Sequence, residues 1–145
     1  MPTHDEIKAF STANPHRYCE YEGIGKLVFD PLRGTKHFDP WWMLVQCDDQ
    51  ITCYYAWFLR KYGRPVWVTR LWGTHVSVVK HEEPPNLELW GKIDREVRFH
   101  YTNYIRSDNG LHAWLDCYSP ELSEVRQELG LPAKEWFHMT IGRLC

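Results

Sequence analysis

Two stretches decide how this chain reads: residues 75–79, His-Val-Ser-Val-Val, and residues 138–142, His-Met-Thr-Ile-Gly. Each opens on histidine, carries a hydroxyl side chain two positions later and interleaves apolar residues. Val, Thr and Ile favour extended backbone. In a strand, positions i and i+2 share a face, so His75 points with Ser77 and His138 with Thr140. Val76, Val78, Met139 and Ile141 then turn to the opposite face, into packing.

The elements around these strands follow from periodicity and punctuation. GKLVF (25–29) reads as a strand and WWMLVQC (41–47) as a buried one, parted by the Pro- and Gly-bearing loop 30–40. Residues 1–22 are mixed and polar. Asp48 and Asp49 offer an N-cap. Ile51, Tyr54, Tyr55, Phe58, Leu59 and Tyr62 follow at helical spacing, until Gly63 and Pro65 stop the helix. Pro65–Arg70 reads as a short strand before that of His75. Residues 81–92, with two prolines, read as a linker. Val97, Phe99, Tyr101 and Asn103 alternate along a strand at 95–105, a turn falls at Ser107–Gly110, and 111–118 returns. Ser119-Pro120 starts a second helix with the stripe Leu122, Val125 and Leu129, ended by Gly130 and Pro132. Residues 136–144 form the last strand.

Strand, helix and marked strand thus occur twice. The expected fold is α+β and bilobal. Two pseudo-symmetric lobes of antiparallel sheet, about 23–80 and 95–145, would carry helices outside and a central cleft between them.

The chain has 145 residues, a length for one domain, with 43% hydrophobic and 25% charged residues. Its formal charge of −2 lacks the basic footprint of a long nucleic-acid binder, yet leaves room for a small anionic ligand. Aromatic residues reach 15%, enough for a rich core and for some stacking on bases. The five cysteines form no C-x-x-C pair and no zinc-ligand spacing, and read as reduced, mostly buried thiols. The segment MPTHDEIKAF does not read as a signal peptide, and no apolar run approaches the roughly 20 residues of a membrane span.

The paired motif fits metal-free cleavage of a phosphodiester. Internal attack needs a base to take the ribose 2′ proton and an acid to protonate the departing 5′ oxygen. Histidine, with an unperturbed pKa of about 6.5, serves either role near neutrality. Ser77 and Thr140 can donate to the phosphoryl oxygens, where charge builds. With eight His and 13 Ser or Thr, chance placement gives about 0.7 His-x-Ser/Thr matches, so one match alone carries nothing. A third match, His100-Tyr101-Thr102, follows the linker rather than a helix, and His100 reads as structural or substrate-adjacent. Either marked histidine alone reads as a polar residue on a sheet surface, whereas the pair in matching positions reads as catalytic.

The paired H-x-S/T strands resemble the two-histidine (2H) phosphoesterase superfamily. The segments 21–31, 34–42, 109–122, 128–132 and 137–144 resemble more closely the phage anti-CBASS 2H phosphodiesterases, which cut the cyclic oligonucleotides that bacteria use against phage. The resemblance implies the 2H bilobal fold and cleavage of 3′,5′ linkages in substrates such as cyclic GMP-AMP. It also implies action in the cytoplasm of an infected bacterium, no cofactor or metal, and catalysis by His75, Ser77, His138 and Thr140. Ser77 stands where Thr is frequent in that superfamily. Beside these, Trp72 is a candidate for base stacking, and Tyr21 and Lys26 for closing over a nucleotide. An RNA 2′,3′-cyclic phosphodiesterase and a non-catalytic nucleotide-sequestering protein are the competing readings. Neither a membrane nor a long nucleic acid is an expected partner.

Overall fold

The computed structural model describes residues 21–31, 40–68, 73–108 and 112–144. In chain order these contain β1 (Tyr21–Phe29), β2 (Met43–Gln46), α1 (Asp49–Lys61), β3 (Val66–Trp67), β4 (His75–Val79) and a 3-10 turn (Leu87–Leu89). Then come β5 (Glu96–Asp108), β6 (His112–Tyr118), α2 (Pro120–Glu128) and β7 (Trp136–Leu144). Most boundaries fall within a few residues of those read from periodicity.

Their assembly differs from the expected one. The strands run in the order β3-β7-β4-β2-β1-β5-β6, and β6 pairs back onto β7. Six antiparallel strands therefore close into a barrel, with β3 added to β7 outside the ring. The two lobes of the bilobal α+β expectation do not exist. β1 of the first half pairs with β5 of the second along Tyr21–Lys26, and β4 pairs with β7. Separate half-sheets would leave rows of unpaired N–H and C=O groups, which this closure satisfies.

Alternation fills the barrel. Met43, Val45, Val76, Val97, Phe99, Leu115 and Met139 are buried inside it, each worth about 1.5–3 kcal/mol of burial. β1 changes partner at Lys26, which is in register with both Gln46 and Glu96. The crossing is tight, for a Cβ on Gly25 would meet the Gln46 carbonyl oxygen and Val45 Cγ1, each at 2.4 Å. A register shift between Tyr101 and Ile105 breaks the alternation of β5, so Asn103 is exposed instead of joining Val97, Phe99 and Tyr101.

One helix lies at each end. α1 is capped by Asp48 and tied to the start of β4, where Asp49 Oδ1 accepts the Thr74 N–H at 2.8 Å. Thr52 and Thr74 share a hydrogen bond of 2.5 Å. That tether turns Thr52, Tyr55, Ala56 and Leu59 toward the core and leaves Tyr54, Phe58 and Tyr62 exposed, which rotates the expected apolar stripe. α2 begins at Ser119, whose hydroxyl accepts from Leu122 N and donates to the Arg98 carbonyl. Its buried Arg126 donates to the Val78 carbonyl at 2.8 Å and to both Glu82 oxygens at 2.9 Å, fastening the exit of β4.

Candidate active site

β4 and β7 are neighbours, with Val76 in register with Met139 and both side chains inside the barrel. In an antiparallel pair, the residues flanking such a pair face each other across the strands. His75 therefore lies across from Thr140, and Ser77 across from His138, all four on the outer face. The two histidines stand on the diagonal of this grid, a separation of about 7–8 Å between backbones that long side chains can bridge. The shared strand face, not a cleft between lobes, brings the two motifs together.

His75 is half-buried. Its Nδ1–H donates to the Gly73 carbonyl at 2.9 Å, which puts the lone pair of the neutral ring on Nε2. The Trp42 indole meets it edge-on at 5.9 Å. The same indole N–H donates to Ser77 Oγ at 3.1 Å, so the serine accepts that bond and has its own proton to give. Trp42 is delivered by a tight turn: Trp41 sits at φ 55, and the Trp42 carbonyl accepts from Asp30 N.

His138 is exposed and stacks flat on Trp114 of β6, centroids 5.3 Å apart and planes 11° apart. Trp114 is itself held. Its Nε1–H reaches Asp116 Oδ1 at 3.3 Å, and the Arg106 guanidinium lies 5.6 Å from its ring. Arg106 also pairs with the buried Asp116 at 3.0 Å. Asp116 is the registered partner of His138. The imidazole thus rests against a wall fixed by a charge-assisted bond.

A cavity of about 440 Å³ opens beside this grid. His75, Thr140, Trp42, Trp67, Lys80 and Arg143 are among its lining residues. Ser77 and His138, the other row of the grid, stand outside that lining. An open position bordered by one imidazole and one hydroxyl, with the second such pair in the next row of the grid, suits an anion about to exchange protons.

Other sequence candidates lie apart. Tyr21 stacks on Tyr101 at 5.5 Å beside α1, and Lys26 is exposed in mid-β1, and neither is among the described lining residues. Trp72 lies outside the described residues. His100 is buried on β5 with no hydrogen-bond partner for Nε2, and desolvation lowers its pKa below the usual histidine value. In register it pairs with Glu22 of β1 and Tyr118 of β6, not with a residue of the grid. Among the described cysteines, Cys117 is buried, Cys47 half-buried and Cys53 exposed, so for these the expectation of mostly buried thiols holds only in part; Cys19 and Cys145 lie outside the described residues. Burial, then the nearby Asp49 and Asp48 charges, push the Cys47 thiol up to about 12. Among the described residues, no helix is long and apolar enough to cross a membrane.

Trp42, Trp67, Lys80, His112 and Arg143 escaped the sequence reading because no spacing ties them to either motif. Comparison with protein-family models, characterised proteins and solved structures finds no match for this chain.

Proposed function

We propose that this chain is a metal-independent phosphodiesterase that cleaves 3′,5′ linkages in cyclic di- or oligonucleotides, cyclic GMP-AMP being the model substrate. One observation carries the catalytic part: His75, Ser77, His138 and Thr140 share one face of two neighbouring strands, where His75 and Thr140 line an open cavity. The cyclic substrate, and with it a role in evading host CBASS immunity, rests on the resemblance of the motif-bearing segments.

In this reading His75, already in the tautomer with a lone pair on Nε2, takes the proton of the ribose 2′-hydroxyl. The 2′ oxygen bonds to phosphorus as the bond from phosphorus to the 5′ oxygen breaks. His138, protonated and held against Trp114, gives its proton to that 5′ oxygen. Ser77 and Thr140 donate to the non-bridging oxygens. The product carries a 2′,3′-cyclic phosphate and a free 5′-hydroxyl, and no proton is gained or lost overall.

The test is turnover of cyclic GMP-AMP with excess chelator, together with an analogue lacking the attacking 2′-hydroxyl. Cleavage is expected to persist with chelator and to stop with the analogue. His75→Ala and His138→Ala are each expected to lower turnover by about 10²–10⁴-fold, with an unchanged circular dichroism spectrum. Full activity in either variant would overturn the two-histidine mechanism. Faster opening of an RNA 2′,3′-cyclic end than of the cyclic dinucleotide would favour RNA end processing instead.

A further inference from the structure

Three side chains stand in a row across neighbouring strands beside the cavity. Trp67 of β3 is in register with Arg143 of β7, and Arg143 with His112 of β6. All three line the same cavity as His75 and Thr140.

Simple alternation would put Arg143, three residues after Thr140, on the opposite face. A bulge prevents this. Trp114 pairs with Thr140 and Ala113 with Gly142, so Ile141 is an extra residue on β7. Ile141 and Gly142 both turn inward, and Arg143 returns to the face of His138 and Thr140. Gly142 also lets β3 dock, since a Cβ there would meet the Trp67 carbonyl oxygen at 2.5 Å. The docked β3 presents Trp67 at the rim, 72% exposed.

The lining is cationic. Lys80 and Arg143 supply fixed positive charge to it, and no carboxylate is among its described residues. Chemistry at one phosphate is supplied by the two histidines and two hydroxyls, which leaves Arg143 without a role at that centre. A guanidinium suits bidentate contact with a phosphate, and an exposed indole suits a base.

We propose that Arg143 and Trp67, flanked by His112, form a second-anion subsite. It takes the non-reacting phosphate and the adjoining base of a substrate with at least two phosphodiester groups. This deepens the reading above and rests on it for the reacting phosphate.

Two substrates separate the two claims: cyclic GMP-AMP, and uridine 3′-(p-nitrophenyl phosphate), which has one phosphodiester and the same 2′ nucleophile. Arg143→Ala is expected to raise KM for the cyclic dinucleotide about tenfold or more, the weight of a lost hydrogen bond to a charged group. Kinetics on the one-phosphate diester stay unchanged. Trp67→Ala follows the same pattern and Trp67→Phe restores most of the affinity. Equal losses on both substrates, or none on either, would overturn the subsite. If the unaltered protein cleaves neither, the catalytic reading fails and binding still judges the subsite. Equilibrium dialysis with a 2′-deoxy cyclic dinucleotide should then give about tenfold weaker binding for Arg143→Ala. Equal binding by both proteins would sink the proposal.

Discussion

Ser77 Oγ accepts the Trp42 indole N–H, and this fixes the direction in which its own proton can go. Trp42→Phe keeps the ring but removes that donor. It is expected to lower kcat by about three- to tenfold with KM little changed, the weight of one neutral hydrogen bond. Ser77→Ala should cost a similar factor, and the double variant no more than the larger single loss. Additive losses in this double-mutant cycle would mean that Trp42 acts on substrate rather than through Ser77. The sequence made Ser77 visible through its spacing from His75. In the sequence Trp42 is only one residue of a buried run, because a contact across 35 positions leaves no local trace. Arg143 was hidden more deeply, since the bulge at Ile141 reverses the face that alternation assigns.

At the scale of elements, α2 is fastened to β4 by Arg126 and Glu82. The Arg126 hydrogen bonds hold the Glu82 carboxyl below its ordinary range. A depressed carboxylate contributes stability that is present above its unfolded pKa and is lost as pH falls through its lower folded value. Glu82→Gln should therefore flatten the fall in stability on acidification, as read by denaturant midpoints across that acid window. An unchanged slope would count against the linkage. Element type was largely legible here. Ser119-Pro120 announced the start of α2, and the serine hydroxyl does accept from Leu122 N. The face of α1 was not legible, because its six apolar positions outnumber those that the barrel end can bury. The Thr52–Thr74 and Asp49–Thr74 bonds decide which of them turn inward.

For the whole molecule, closure predicts one unfolding event. β1 and β4 each bridge the two halves, so neither half keeps a complete sheet without the other. Thermal unfolding followed by tryptophan fluorescence and by far-ultraviolet circular dichroism is expected to give coincident, single transitions. Two separated transitions would show that closure does not couple the halves energetically. The sequence by itself determined where strands and helices fall, how they are capped, and that each histidine shares a face with its hydroxyl partner. These are properties of neighbours along the chain, governed by backbone geometry over a few residues. Only the tertiary structure decided that β4 lies against β7, that the sheet closes, and that Arg143 and Trp67 meet the histidine grid. Strand pairing is a choice among distant edges, settled by which arrangement satisfies every backbone group and buries the shared core, and no local period records it.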